Sequence, residues 1–192
     1  MIGLIIQQKE LPMDSLQAIK DRLPAYAKDV KLNLDAVLFR GSLTPAEALG
    51  AALAAAFAAK SPALIEALRS NEAIEAKQAE AALTAASLMA MNNVWYPFVE
   101  MADDPELAAA RAELRMNAYA TYGGVDRRSF ELYALAASIV GKCEFCVRSH
   151  YKLLRDGGMS ALQLRDVGRI AAVVAAAAHA LANQDETLAQ LA

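Results

Sequence analysis

The sequence predicts an all-α fold of about eight helices, and three observations carry that expectation. Alanine, the strongest helix former, supplies roughly a quarter of the residues. Aromatic residues make up only 6% of the chain and β-branched residues are scarce beside alanine, which leaves little strand-forming material. Capping signatures recur along the chain, each opening a stretch with helical apolar spacing.

Asp14 or Ser15 can cap a first helix reaching about Leu23. Pro24 opens the next turn, and Leu23, Tyr26, Ala27, Val30 and Leu34 continue an apolar stripe until Gly41 and Ser42 break it. Thr44-Pro45-Ala46-Glu47 combines a capping threonine, a proline at the first helical position and a capping-box glutamate, for a helix to Ala59. Ser61-Pro62 starts a short helix ending near Ser70-Asn71. From Glu72 the pattern is helical to about Tyr96, where Pro97 should bend or stop it. Asp104-Pro105-Glu106 repeats the cap, proline and acid, for a helix to about Tyr119. Tyr122-Gly123-Gly124 reads as a loop, and Asp126 caps a helix carrying Phe130, Leu132, Leu135 and Ile139 to Gly141. A helix beginning near Cys143 reaches Asp156 and stops at Gly157-Gly158. Ser160 and Gln163 form a last capping box, for a helix to about Ala182. Met89, Met91, Trp95 and Tyr96 read as a core or interface stripe, and His179 as a packed helix residue.

No repeat or linker interrupts this pattern, so residues 13–192 read as a single domain. Residues 1–12 read as an N-terminal extension, added by cloning or belonging to an alternative start. They lack the basic region and cleavage site of a signal peptide. With 56% hydrophobic and 21% charged residues the chain is not intrinsically disordered. A net charge of -3, with basic residues scattered apart from Arg127-Arg128, gives no nucleic-acid footprint. The apolar runs Ala48 to Ala59 and Ile170 to Ala182 fall short of the roughly 18 to 20 residues a membrane span needs. A cytoplasmic protein that binds neither nucleic acid nor membrane is the expectation.

The two cysteines are too few for a secreted disulfide framework. They stand as Cys143-x-x-Cys146, a spacing that in a cytosolic protein points to redox or metal chemistry. On a helix Cys143, Cys146 and His150 share one stripe. One helical turn separates the two sulfurs, within the Cα distance of roughly 5 to 6 Å that a disulfide accepts. Cys146 and His150 are an i,i+4 pair. The break at Gly141 puts Cys143 in the first turn, where the helix dipole favours a thiolate. A nucleophile, a resolving thiol and a proton-moving imidazole are thus at hand. Glu131, on the preceding helix, can orient His150 if the two helices pack antiparallel. The same four residues are also a tetrahedral zinc set, which would make the chain a zinc-stabilised, non-enzymatic interaction module.

Glu131 followed by Cys143-x-x-Cys146-x-x-x-His150 resembles the E-x11-C-x-x-C-x-x-x-H signature of the AhpD-like superfamily, and of the AhpD alkyl hydroperoxidases within it. Leu23 to Leu34, Met89 to Tyr96, Leu114 to Asn117 and Phe130 to Leu132 resemble further segments of that family in the same order, so the likeness covers essentially the whole chain. The resemblance implies a homotrimer that reduces organic hydroperoxides and the peroxiredoxin AhpC in antioxidant defence. The implied reductant is a dihydrolipoyl group on a dihydrolipoyl acyltransferase subunit, regenerated from NADH by dihydrolipoamide dehydrogenase; no tightly bound cofactor is expected. Carried over, Cys146 is the peroxide-attacked cysteine and Cys143 the solvent-facing proton donor and resolving thiol. Glu131 and His150 form the proton relay. Some family members carry a second histidine where this chain has Phe145, so direct peroxide reduction is expected to be slower than exchange with a protein partner. Carboxymuconolactone decarboxylases share the fold without redox cysteines and are the second enzymatic reading.

Overall fold

The computed structural model describes residues 14–184. Among them are ten α-helices and no strand, and eight of the helices are eight residues or longer. They are α1 (Asp14–Arg22), α2 (Lys28–Phe39), α3 (Pro45–Ala58), α4 (Pro62–Arg69) and α5 (Ala76–Ala102). Then follow α6 (Pro105–Ala109), α7 (Asn117–Ala120), α8 (Arg127–Gly141), α9 (Glu144–Asp156) and α10 (Ala161–Ala182). Short 3-10 turns occupy Ala25–Ala27 and Tyr122–Gly124. The domain expectation for residues 1–12 lies outside the described residues.

The caps form as the sequence implies. Thr44 and Glu47 close a reciprocal capping box at α3, Asp126 accepts from the Ser129 amide at α8, and Ser160 pairs with Gln163 at α10. The core is built on α3, every residue of which from Glu47 to Ala56 is buried. Against it lie α8, α5 and α10. Alanine allows this close approach: the Cβ-sized side chains of α3 let the larger Phe130, Leu132, Tyr133 and Leu135 of α8 fill the remaining space.

Three elements depart from expectation. First, α5 starts four residues later than expected, behind a Glu75–Gln78 capping box, and runs through Pro97 to Ala102. Proline removes one backbone hydrogen bond, but packing of this half of the helix against α9 and α6 carries it on. Second, the helix expected from Pro105 to Tyr119 ends at Ala109, where Ala110 turns extended. No residue of α6 is buried, and a short helix without a packed face is marginal in water. Residues 110–116 are irregular, and that path delivers Tyr119 to the site described below. Third, two side chains face outward: Tyr26 is 74% exposed, and His179 sits on the solvent side of α10 rather than packed. No helix among the described residues is long and apolar enough to cross a membrane.

Candidate active site

The site forms where α8 and α9 lie side by side beneath α5. Lys142, in the left-handed conformation, ends α8 and reverses the chain into Cys143. Cys143 is the N-cap of α9 rather than its first helical residue. Its sulfur accepts a hydrogen bond from the Cys146 amide at 3.2 Å, one of the helix-end donors that lack a partner within the helix. Cys143 and Cys146 are joined as a disulfide with a Cα separation of 5.3 Å.

Both sulfurs belong to buried residues, but they face different surroundings. Cys143 Sγ lies against the Asn92 carbonyl of α5, 3.9 Å away. Cys146 borders a cavity of about 200 Å³, shared with Asn92, Tyr119, Phe145, Ser149 and His150. The expectation of a solvent-facing Cys143 is therefore corrected: Cys143 is fully buried, and Cys146 is the cysteine that borders the cavity. Helical spacing places the two sulfurs on one stripe, but α5 covers one end of it.

Glu131 and His150 meet as the antiparallel reading of the two helices requires. His150 Nδ1 lies 2.6 Å from Glu131 Oε2, a distance at which the imidazole donates its Nδ1–H to the carboxylate. Nε2 rests 3.2 Å from the thioether sulfur of Met89, buried on α5. The second oxygen, Glu131 Oε1, accepts from the Tyr119 hydroxyl at 2.5 Å, and the Arg127 guanidinium lies 4.0 Å away. Burial works against the charge on Glu131. The bonds from His150 and Tyr119, helped by the Arg127 charge, outweigh it and hold the carboxyl below its ordinary value. The Tyr119 phenol is pushed well up, first by burial and then by its bond to Glu131.

The structure thus brings Glu131, Cys143, Cys146 and His150 together. Tyr119 and Met89 complete the constellation, and neither stands out in the sequence as a site residue. One signal for Tyr119 was available: a buried carboxylate needs a donor at each oxygen, and His150 supplies only one. The zinc reading fares worse. In this structure its two sulfurs are joined to each other and one imidazole nitrogen is bound to Glu131. Among the described residues no group of three or more His, Cys, Asp or Glu side chains has an arrangement that could hold a metal.

Comparison with known proteins decides the family. The alkyl hydroperoxide reductase AhpD of Anaeromyxobacter dehalogenans (strain 2CP-C) is 47% identical over 171 residues, covering 88% of this chain and 91% of that protein. The chain belongs to the AhpD family. Relatives of the same name from Rhodospirillum centenum and Bradyrhizobium sp. (strain BTAi1) are 41% and 40% identical over 169 residues, each covering 87% of this chain. They are covered over 90% and 93% of their own lengths. A broader model, described as the carboxymuconolactone decarboxylase family, matches residues 105–184. That stretch holds the whole Glu131-to-His150 segment. The AhpD likeness extends well beyond it, which favours the peroxidase branch over a decarboxylase.

Proposed function

We propose that this chain reduces organic hydroperoxides by cycling Cys143 and Cys146 between dithiol and disulfide, with a dihydrolipoyl group of a partner protein as reductant. The observation that carries the reading is the disulfide whose Cys146 side opens on a cavity shared with a Glu131-held imidazole. Membership of a family whose relatives are named alkyl hydroperoxide reductases supports it.

Reduction begins at the sulfur that borders the cavity. A dihydrolipoyl thiolate attacks Cys146 Sγ, the S–S bond breaks, and Cys143 leaves as a thiolate. Cys143 is the better leaving group, because the Cys146 amide and the positive end of α9 stabilise its charge before it takes up a proton. The second lipoyl thiol then displaces Cys146, closing the lipoyl disulfide and leaving two protein thiols.

In the oxidative half, His150 Nε2 takes the Cys146 proton. Glu131 holds Nδ1–H, so Nε2 is the unprotonated nitrogen, and the Met89 thioether beside it has no hydrogen to donate and leaves its lone pair free to take a proton. The Cys146 thiolate attacks the terminal peroxide oxygen, the O–O bond breaks, and His150 returns its proton to the departing alkoxide. The Cys143 thiol attacks the resulting sulfenic acid, restoring the disulfide and releasing water. One hydroperoxide and one dithiol become one alcohol, one water and one lipoyl disulfide.

The same dithiol is suited to reducing an AhpC-type peroxiredoxin, and dihydrolipoamide dehydrogenase would recharge the acyltransferase-borne lipoyl group. The exposed row Met91, Val94, Phe98 and Met101 on α5 suits helix-on-helix association of copies, in keeping with a homotrimer. A cytoplasmic setting fits a dithiol that must be reduced in every cycle.

The test is a coupled assay with lipoamide, dihydrolipoamide dehydrogenase, NADH and tert-butyl hydroperoxide. NADH should be consumed with the wild-type protein, and Cys146→Ser should lose at least 100-fold of that rate. A Cys146→Ser variant that kept most of it would overturn the reading.

A further inference from the structure

The Cys146 cavity has a neighbour. On the other side of the Phe145 ring an open cleft of about 920 Å³ runs between the C-terminal half of α5, α6 and the first turns of α9. We propose that this cleft is a subsite for the alkyl tail of the hydroperoxide, with the peroxide head in the Cys146 cavity. The inference rests on the functional reading above and adds the substrate class to it: hydroperoxides carrying an extended uncharged chain.

Continuity is the first argument. Tyr96, Phe145 and Ser149 line both spaces, and the Tyr96 and Phe145 rings stack at 4.1 Å between centroids with 20° between planes. The stack is a shared wall, and Phe145 is the residue next to the reacting sulfur. Phe145 is also 53% exposed, so the wall it forms stands at the open edge of the cleft.

Size is the second. Pockets that hold a drug-sized molecule run from roughly 300 to 1,000 Å³. The cavity of about 200 Å³ lies below that range and takes the reacting head with little more, whereas the cleft lies within it. A longer substrate that reaches Cys146 must therefore leave its tail somewhere, and the cleft adjoins the head cavity.

Chemistry is the third. Trp95, Val99, Pro105 and Leu107 give the cleft an apolar floor. Of the charges at its mouth, Arg148 is bridged to Glu144 and Lys152 to Asp156, while Glu100, Asp103 and Asp104 oppose an anionic ligand. At 100° per residue Trp95 and Val99 lie beside the exposed Met91, Val94, Phe98 and Met101 row, and the Trp95 and Phe98 rings are 5.8 Å apart. A second copy seated on that row would border the cleft. An emission that follows protein concentration and not alkanol would make the cleft an interface between copies and overturn the proposal.

Trp95 is the chain's single tryptophan and lies in the cleft, so occupancy can be read without turnover. Titrating the disulfide form with n-alkanols from butanol to decanol should give a saturable shift of Trp95 emission. Affinity should rise about twofold to fourfold per methylene, the upper figure being the ~0.8 kcal/mol of a fully buried CH₂. The kinetic arm mixes the reduced protein with n-decyl hydroperoxide or tert-butyl hydroperoxide and takes the ratio of the two rate constants. Val99→Glu should lower that ratio at least tenfold and abolish the alkanol response. Leu107→Ser, on a helix with no buried residue, should do the same in smaller measure and covers a failure of Val99→Glu to fold. Leu162→Ser, exposed on α10, is the control. An emission that does not respond to alkanol, or a ratio that Val99→Glu does not move, overturns the proposal. So does a variant that slows reduction by dihydrolipoamide instead, since the cleft would then serve the reductant. Absence of peroxide turnover with either hydroperoxide in the wild type would sink the functional reading itself, a different outcome.

Discussion

Tyr119 is the residue whose removal says most about the site. Its hydroxyl is one of two close donors to the buried Glu131 carboxylate, and a hydrogen bond to a charged group is worth ~1.5–3 kcal/mol. Tyr119→Phe should therefore raise the Glu131 pKa by about one unit at ~1.4 kcal/mol per unit. The relay needs Glu131 ionised, so the acid limb of the pH–rate profile should move upward. Because the wild-type carboxyl lies below its ordinary value, the variant should be several-fold slower only in acid, near about pH 4, and close to wild type from about pH 7 upward. A profile that keeps its shape and position would mean Tyr119 serves packing alone. Tyr119 sits on a four-residue helix that follows an irregular segment and is joined to α8 through a 3-10 turn, so sequence periodicity has no purchase there. Glu131, Cys146 and His150 were legible because each pair is either a helical neighbour or lies on adjoining helices joined by a short turn. Which sulfur faces the cavity was not legible. Helix geometry fixes the face on which Cys143 sits, while the Asn92 carbonyl that covers it comes from another element.

Among the elements, α3 shows how an alanine-rich helix becomes the centre of a core. A Cβ on Gly50 would fall 2.1 Å from the Tyr133 ring, so the glycine is there for the close approach of α8 and not for a turn. In an exposed helix Gly→Ala would stabilise by about 1 kcal/mol. Here overpacking of ~1–3 kcal/mol or more opposes it, and Gly50→Ala should lower the melting temperature measured by circular dichroism. A raised melting temperature would contradict the packing described. The capped starts of α3, α8 and α10 were legible because a cap is a local device, complete within four residues. The ends of α5 and α6 were not, since tertiary packing sets them: one helix gains a neighbour beyond its proline, and the other touches α5 but buries no residue.

Across the whole molecule, Asp166 ties the turn between α2 and α3 to α10. Its buried carboxylate accepts from the Ser42 amide and hydroxyl at 2.8 Å each, and its other oxygen from Arg165 and Arg169. Burial disfavours its charge, but these bonds prevail and hold the carboxyl far below the ordinary range. A carboxyl with a lowered native pKa stabilises the fold above its unfolded pKa of about 3.9, and that contribution is lost as pH falls further. Asp166→Asn should thus cost ~2–3 kcal/mol at pH 7 in urea unfolding, with a gap to wild type that narrows below about pH 4. An equal gap at both pH values would mean that the charge is immaterial.

The fold, the relay and the cleft all converge on one sulfur, and a single-turnover mass measurement on Cys143→Ser reads it directly. Treated with one equivalent of tert-butyl hydroperoxide and dimedone, this variant should carry the sulfenic-acid adduct on Cys146, while the reduced wild type loses two daltons and carries no adduct. Cys146 left unlabelled in the variant, with no two-dalton loss in the wild type, would contradict the account.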